Sequence, residues 1–108
     1  FGGATADTLF SSHSMARTLN ALAVGVAIAD GRIGSVDDPA SKYLPEWRDP
    51  ARAAITIRQL LTMSGGFRTP PSREPGSAFS QSYYGADLAA LTLAAQPDVA
   101  PGSAWSYD

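Results

Sequence analysis

Two side chains in this sequence stand at a spacing that could do covalent chemistry. Ser14 is followed three residues later by Arg17, in Ser14-Met15-Ala16-Arg17, and residues at i and i+3 of a helix share one face. A serine hydroxyl is a poor nucleophile until a neighbouring base takes its proton. A guanidinium stays protonated in proteins and accepts nothing, so Arg17 brings positive charge to Ser14 but not a base. His13 is the other titratable neighbour, yet adjacent helical residues point about 100 degrees apart, which makes a contact with Ser14 awkward. Lys42 is the only lysine, and Pro39, not a serine, stands three residues before it. Asp37 and Asp38, just ahead of Pro39, read as cap and dipole partners of a short helix rather than as paired catalytic acids. Ser64, before Gly65 and Gly66, reads as a turn residue.

The elements that position these groups are mostly helical. Ser11 and Ser12 offer cap-type side chains, and Met15, Leu19, Leu22 and Val26 recur at spacings of four, three and four. With Gly31 as a stop, this predicts one helix over residues 13 to 30. Ser14 then lies at its N-terminus, where unpaired N–H groups and the positive dipole end favour a developing oxyanion but equally suit an ordinary cap. Between residues 21 and 29 every position except Gly25 is apolar, the pattern of a helix wrapped on nearly all sides. Asp37-Asp38-Pro39 opens a brief helix reaching about Tyr43, and Trp47 plugs the following broken stretch onto the core. Thr56 and Gln59 have the form of a capping box for a helix over 57 to 63. Residues 67 to 80, with three prolines, predict a long irregular loop, a candidate rim or lid. An Ala- and Leu-rich run predicts a last helix over 83 to 96, ended by Pro97.

Composition narrows the function classes. A net charge of −2 with interspersed signs gives no long-range positive field for a phosphate backbone, which argues against nucleic acid as a partner. With no cysteine and one histidine, a zinc site would need several converging carboxylates, so no metal and no other cofactor is expected. The longest apolar stretch is about half of what a helical membrane span requires, so none is expected. The first residues show neither an initiator Met nor a signal-peptide pattern, which leaves periplasmic or secreted and cytoplasmic locations both open. Oligomeric state has no signature here.

A resemblance then runs through residues 8 to 108, carried by several motifs in order. Thr8-Leu9-Phe10-Ser11-Ser12-His13-Ser14-Met15-Ala16-Arg17 resembles the nucleophile block of the serine β-lactamase and penicillin-binding-protein superfamily, an extended run into Ser-x-x-Lys at the head of a long helix. The stretch from Ala23 through Asp30-Gly31-Arg32-Ile33, then Val36-Asp37-Asp38-Pro39 and Tyr43-Leu44-Pro45-Glu46, is similar to the class C, esterase and 6-aminohexanoate-dimer hydrolase branch. Ile55-Thr56-Ile57-Arg58-Gln59-Leu60-Leu61-Thr62-Met63-Ser64-Gly65-Gly66-Phe67 resembles that branch's helix and Ser-Gly turn. Pro101-Gly102 with Trp105-Ser106-Tyr107 resembles the approach to its Tyr-x-Asn motif.

The resemblance implies an incomplete β-lactamase-like domain over residues 1 to 108: mainly α as it stands, and part of an α+β transpeptidase-like fold. It implies a serine hydrolase acting on a small-molecule ester or amide through an acyl-enzyme, with Ser14 as nucleophile and Tyr107 as proton shuttle. Arg17 is the departure, standing where the family has its lysine. An active protein then requires Tyr107 as the phenolate base, its proton affinity lowered by the charge of Arg17; the alternative is an inactive relative that binds in the same cleft, or an inactive helical fragment. Trp105, Tyr83 and Tyr84 are candidates to line an apolar acyl pocket, with core packing the alternative for each. Residues 1 to 108 alone are expected to show no appreciable turnover.

Overall fold

The computed structural model describes residues 2–69, 72 and 74–107. As expected, the protein is mainly helical. Among the described residues every named element is a helix or 3-10 turn, with an antiparallel bridge between Pro39 and Thr56. The chain divides into two compact units, Phe1–Ile33 and Gly34–Asp108.

In the first unit a 3-10 turn at His13–Met15 leads into α1, Ala16–Ala29. Met15 donates to the Ser12 carbonyl at 3.0 Å to open the turn. At the far end the N–H groups of Arg32 and Ile33 both return to the Ala27 carbonyl, at 2.9 and 3.1 Å, and close the last turn. The helix expected over 13 to 30 is therefore present, its first turn wound more tightly than α. The Ser12 side chain makes no cap bond. The expectation that α1 is wrapped on nearly all sides is not met: none of its residues is buried, and Leu19, Leu22 and Val26 are 66, 61 and 60% exposed. Among the described residues of its own unit, α1 has no second α-helix to lay that apolar face against.

The second unit is built around two chain segments lying side by side. Ala40 donates to Ile55, Ile57 to Asp38 and Arg58 to Val36, at 2.8, 3.1 and 2.7 Å. The brief helix expected to open at Asp37-Asp38-Pro39 is a 3-10 turn at Ala40–Lys42, with extended Pro39 before it and no side-chain cap bond. Instead of capping, Asp37 pairs with Arg58, 21 residues on, and Asp38 with nearby Lys42 and Tyr43. A second 3-10 turn, Pro45–Trp47, buries Trp47 as expected. Ala40, Trp47 and Ile55 form the core, with Leu44, Leu60 and Phe67 packed against it and the Trp47 and Phe67 rings 5.5 Å apart.

Helix α2, Ile57–Leu61, starts with the expected capping box: the Gln59 N–H donates to Thr56 Oγ1 at 3.1 Å and the Thr56 N–H donates to Gln59 Oε1 at 3.0 Å. It ends before residue 63 because Met63 adopts φ +55 and leaves the helical path.

The last part of the chain differs from expectation. In place of one helix over 83 to 96 stand α3, Ala78–Tyr84, and α4, Leu88–Ala94. Gly85 is extended, and Asp87 opens a new helix by accepting the Ala90 N–H at 2.8 Å. Helix α3 also occupies the end of the expected loop over 67 to 80, capped by Ser77, whose hydroxyl accepts the Ser80 N–H. Residues 70, 71 and 73 of that loop lie outside the described residues. Among the described residues no helix is long and apolar enough to cross a membrane.

Candidate active site

Ser14 is exposed, in the middle of the tight turn that feeds α1, and Arg17 is half-buried in the helix's first turn. The chain enters this turn through His13, which holds a left-handed φ of +44. A non-glycine residue there is uncommon, with histidine among the enriched exceptions. Such backbone outliers concentrate where a side chain must be aimed. Ser14 and Arg17 share the first unit; Tyr107, Trp105, Tyr83 and Tyr84 belong to the second.

Tyr107 is brought beside Trp105, their ring centres 6.5 Å apart and inclined by 52°. Both are more than half exposed, Trp105 at 67% and Tyr107 at 54%. Tyr83 and Tyr84 end α3 in an aromatic ladder, with Phe79 to Tyr83 at 5.2 Å and Tyr83 to Tyr84 at 6.2 Å. They too are exposed, at 64 and 89%.

The segment carrying Tyr107 is tied to the turn after α2. The N–H groups of Asp98 and Val99 both donate to the Gly66 carbonyl, at 2.9 and 3.2 Å. Gly102 donates to the Ser64 carbonyl at 2.7 Å and Ser106 to that of Met63 at 3.0 Å. Side by side in the sequence, Thr62-Met63-Ser64-Gly65-Gly66 could be read as a turn but not as the seat of residues 98 to 106. The Ser64 hydroxyl lies 3.0 Å from that of Thr62, and both backbone groups of Ser64 are taken, which fits the turn reading.

The neighbouring carboxylates are occupied by structure. Asp37 takes two hydrogen bonds from Arg58, at 2.6 and 3.0 Å, and these hold its carboxyl below the usual range. Asp38 accepts from the Tyr43 hydroxyl and from Lys42 at 2.9 Å. Those donors, Tyr43 foremost, lower it to about 2. Neither is poised to exchange protons near neutral pH. Among the described residues no cluster of His, Cys, Asp and Glu could hold a metal ion.

Sequence reasoning missed Arg52, which is 8% exposed. It pairs with Asp49 at 2.6 Å, donates to the carbonyls of Leu93, Ala95 and Glu46, and sits 5.8 Å from the centre of the Trp47 ring. Two of its acceptors, the Leu93 and Ala95 carbonyls, are backbone oxygens distant in the chain, which leave no residue-type signal.

A β-lactamase of Pseudomonas fluorescens is 37% identical over 62 residues, a stretch covering 57% of this chain and 17% of that protein. The chain thus matches less than a fifth of that relative's length. The family model described as Beta-lactamase matches residues 1–108 in full, and the chain belongs to the β-lactamase family.

Proposed function

We propose that the complete protein is a serine hydrolase of the class C, esterase and 6-aminohexanoate-dimer hydrolase branch, cleaving an ester or amide through an acyl-enzyme on Ser14. The observation that carries this reading is Ser14 itself: exposed on a tight turn at the head of the longest helix, one turn before a cation, in a chain matched throughout by the family. Ser14 Oγ adds to the substrate carbonyl carbon while its proton passes to the Tyr107 phenolate. The tetrahedral centre collapses, the bond to the leaving group breaks, and Tyr107 returns the proton to that group. Water then repeats the sequence on the ester. The positive end of α1 favours the oxyanion. Trp105, Tyr83 and Tyr84 offer apolar faces for the acyl group.

One observation favours a second reading. Arg17 cannot take the serine proton, and loss of a general base costs on the order of 100 to 10,000-fold. A relative that binds in the same cleft without turnover would carry the same residue. Hydrolysis of p-nitrophenyl acetate and of a chromogenic cephalosporin by the full-length protein separates the two. Steady turnover of either, abolished by Ser14→Ala, supports the hydrolase; absence of turnover on both, with saturable binding of the cephalosporin, supports the binding protein.

A further inference from the structure

Met63 is a half-buried residue with φ +55, a left-handed conformation that an unbranched side chain adopts at a cost and a β-branched one resists. It interrupts α2 and turns the Met63 carbonyl out of the helix, where it accepts the N–H of Ser106 at 3.0 Å. Ser106 immediately precedes Tyr107. Two further ties hold the same segment. Gly66, at φ +92, takes the Asp98 and Val99 N–H groups on its carbonyl, and a Cβ there would collide with the Val99 carbonyl oxygen. Gly102, at φ +81, is bound to the Ser64 carbonyl, and a Cβ there would stand 2.9 Å from the Gln59 amide nitrogen. The capping box fixes Gln59 through its other amide atom. Residues 98 to 106 are therefore threaded past the end of α2 by four backbone hydrogen bonds, and the bond nearest Tyr107 depends on the backbone of Met63.

We infer that Met63 is a positioning residue for Tyr107, acting through its left-handed backbone rather than through its side chain; this rests on the reading above in which Tyr107 moves the Ser14 proton. Aim matters because a general base must lie within hydrogen-bond reach of the proton it takes, and a misplacement of about 1 Å can cost on the order of 100-fold. A packing role for the side chain, which lines a small hollow with Leu60, Gly65 and Phe67, gives the opposite ranking of variants. Asparagine tolerates φ > 0 but is polar, whereas valine is apolar but β-branched.

The test is the rate at which a fluorophosphonate labels the full-length protein, for Met63→Val and Met63→Asn, each alone and combined with Tyr107→Phe. The aiming role expects Met63→Val to slow labelling by about 10- to 100-fold, Met63→Asn to stay within about 3-fold of the parent, and neither to matter once Tyr107 is phenylalanine. Met63→Asn slower than Met63→Val, or an equal slowing by Met63→Val with and without the Tyr107 hydroxyl, assigns Met63 to packing and overturns the inference. Should Met63→Val lack a cooperative thermal transition, Gly102→Ala takes its place with the same expectation and the same two contrary outcomes. Undiminished labelling of Ser14→Ala or Tyr107→Phe instead removes the hydrolase reading, and the positioning role with it.

Discussion

Arg52 and Leu93 meet although 41 residues separate them in the chain: a terminal guanidinium nitrogen of Arg52 donates to the Leu93 carbonyl at 2.5 Å. The Trp47 indole donates to the same oxygen at 3.2 Å. That carbonyl belongs to the last turn of α4, where such oxygens lack helical partners and a cation is electrostatically welcome. One buried side chain thus ends α4, holds the Glu46 carbonyl beside Trp47, and ties both to Asp49.

Arg52→Ala is accordingly expected to destabilise the protein by about 2–4 kcal/mol, since several partly buried acceptors lose a charged donor together. Arg52→Lys keeps the charge but not the planar fork, and is expected to recover less than half of that loss. Urea-induced unfolding measures both. An unchanged midpoint for Arg52→Ala would mean that the carbonyls find water at no cost.

Asp38 supplies a dependence on pH with a defined sign. Its carboxyl is held at about 2, first by the Tyr43 hydroxyl and then by Lys42, below an ordinary value of 3.8. A depressed folded-state value stabilises the fold above the unfolded-state value, and that contribution fades as pH falls from about 3.8 towards 2. Tyr43→Phe removes the largest cause. Across pH 5 to 2, the parent is expected to lose more stability than Tyr43→Phe, read from urea midpoints at each pH. Parallel curves for the two proteins would refute the assignment of the Asp38 shift to Tyr43.

The core of the second unit leaves little in reserve. Ile55 is fully buried, in a cluster with Ala40 and Trp47 and, among the described residues, Leu44, Leu60 and Phe67 packed against it. Ile55→Val is expected to cost about 1 kcal/mol and Ile55→Ala about 2–5 kcal/mol. The larger loss is of the order of a marginal domain's whole stability, so Ile55→Ala is expected to blunt the near-ultraviolet signal of Trp47 and the cooperativity of thermal melting. A sharp melt within a degree of the parent would show that Ile55 is not central.

What the sequence made legible were features written in short-range chemistry. The helix led by Ser14 follows from apolar spacing, the α2 start from Thr56 and Gln59, and the burial of Trp47 from its position among chain breakers. Features that depend on who meets whom were hidden. An Ala- and Leu-rich run concealed the break between α3 and α4, because Gly85 is tolerated inside a helical pattern and Asp87 declares itself a cap only once Ala90 turns back to it. Prolines around 70 to 75 read as loop and masked Ser77 as the start of α3. Asp37 and Asp38 looked like caps, but Asp37 pairs with Arg58, a partner set by tertiary approach, and Asp38 with Lys42 and Tyr43 one turn ahead. For the candidate site, Ser14, Arg17 and Tyr107 were visible as residues, whereas the tie from Met63 to Ser106 exists only in the fold.

The most direct test of the central claim, that Ser14 is a nucleophile whose activation is limited by Arg17, is the rate of fluorophosphonate labelling of the full-length protein against pH for the parent, Arg17→Lys and Ser14→Ala, with the adduct located by mass spectrometry. A lysine at this position restores a group able to exist neutral and accept the serine proton. Arg17→Lys is expected to label faster than the parent near neutral pH, with the adduct on Ser14, and Ser14→Ala to label negligibly. Labelling of Ser14→Ala at the parental rate, with Arg17→Lys no faster, would make Ser14 an ordinary helix-terminal serine and contradict the account.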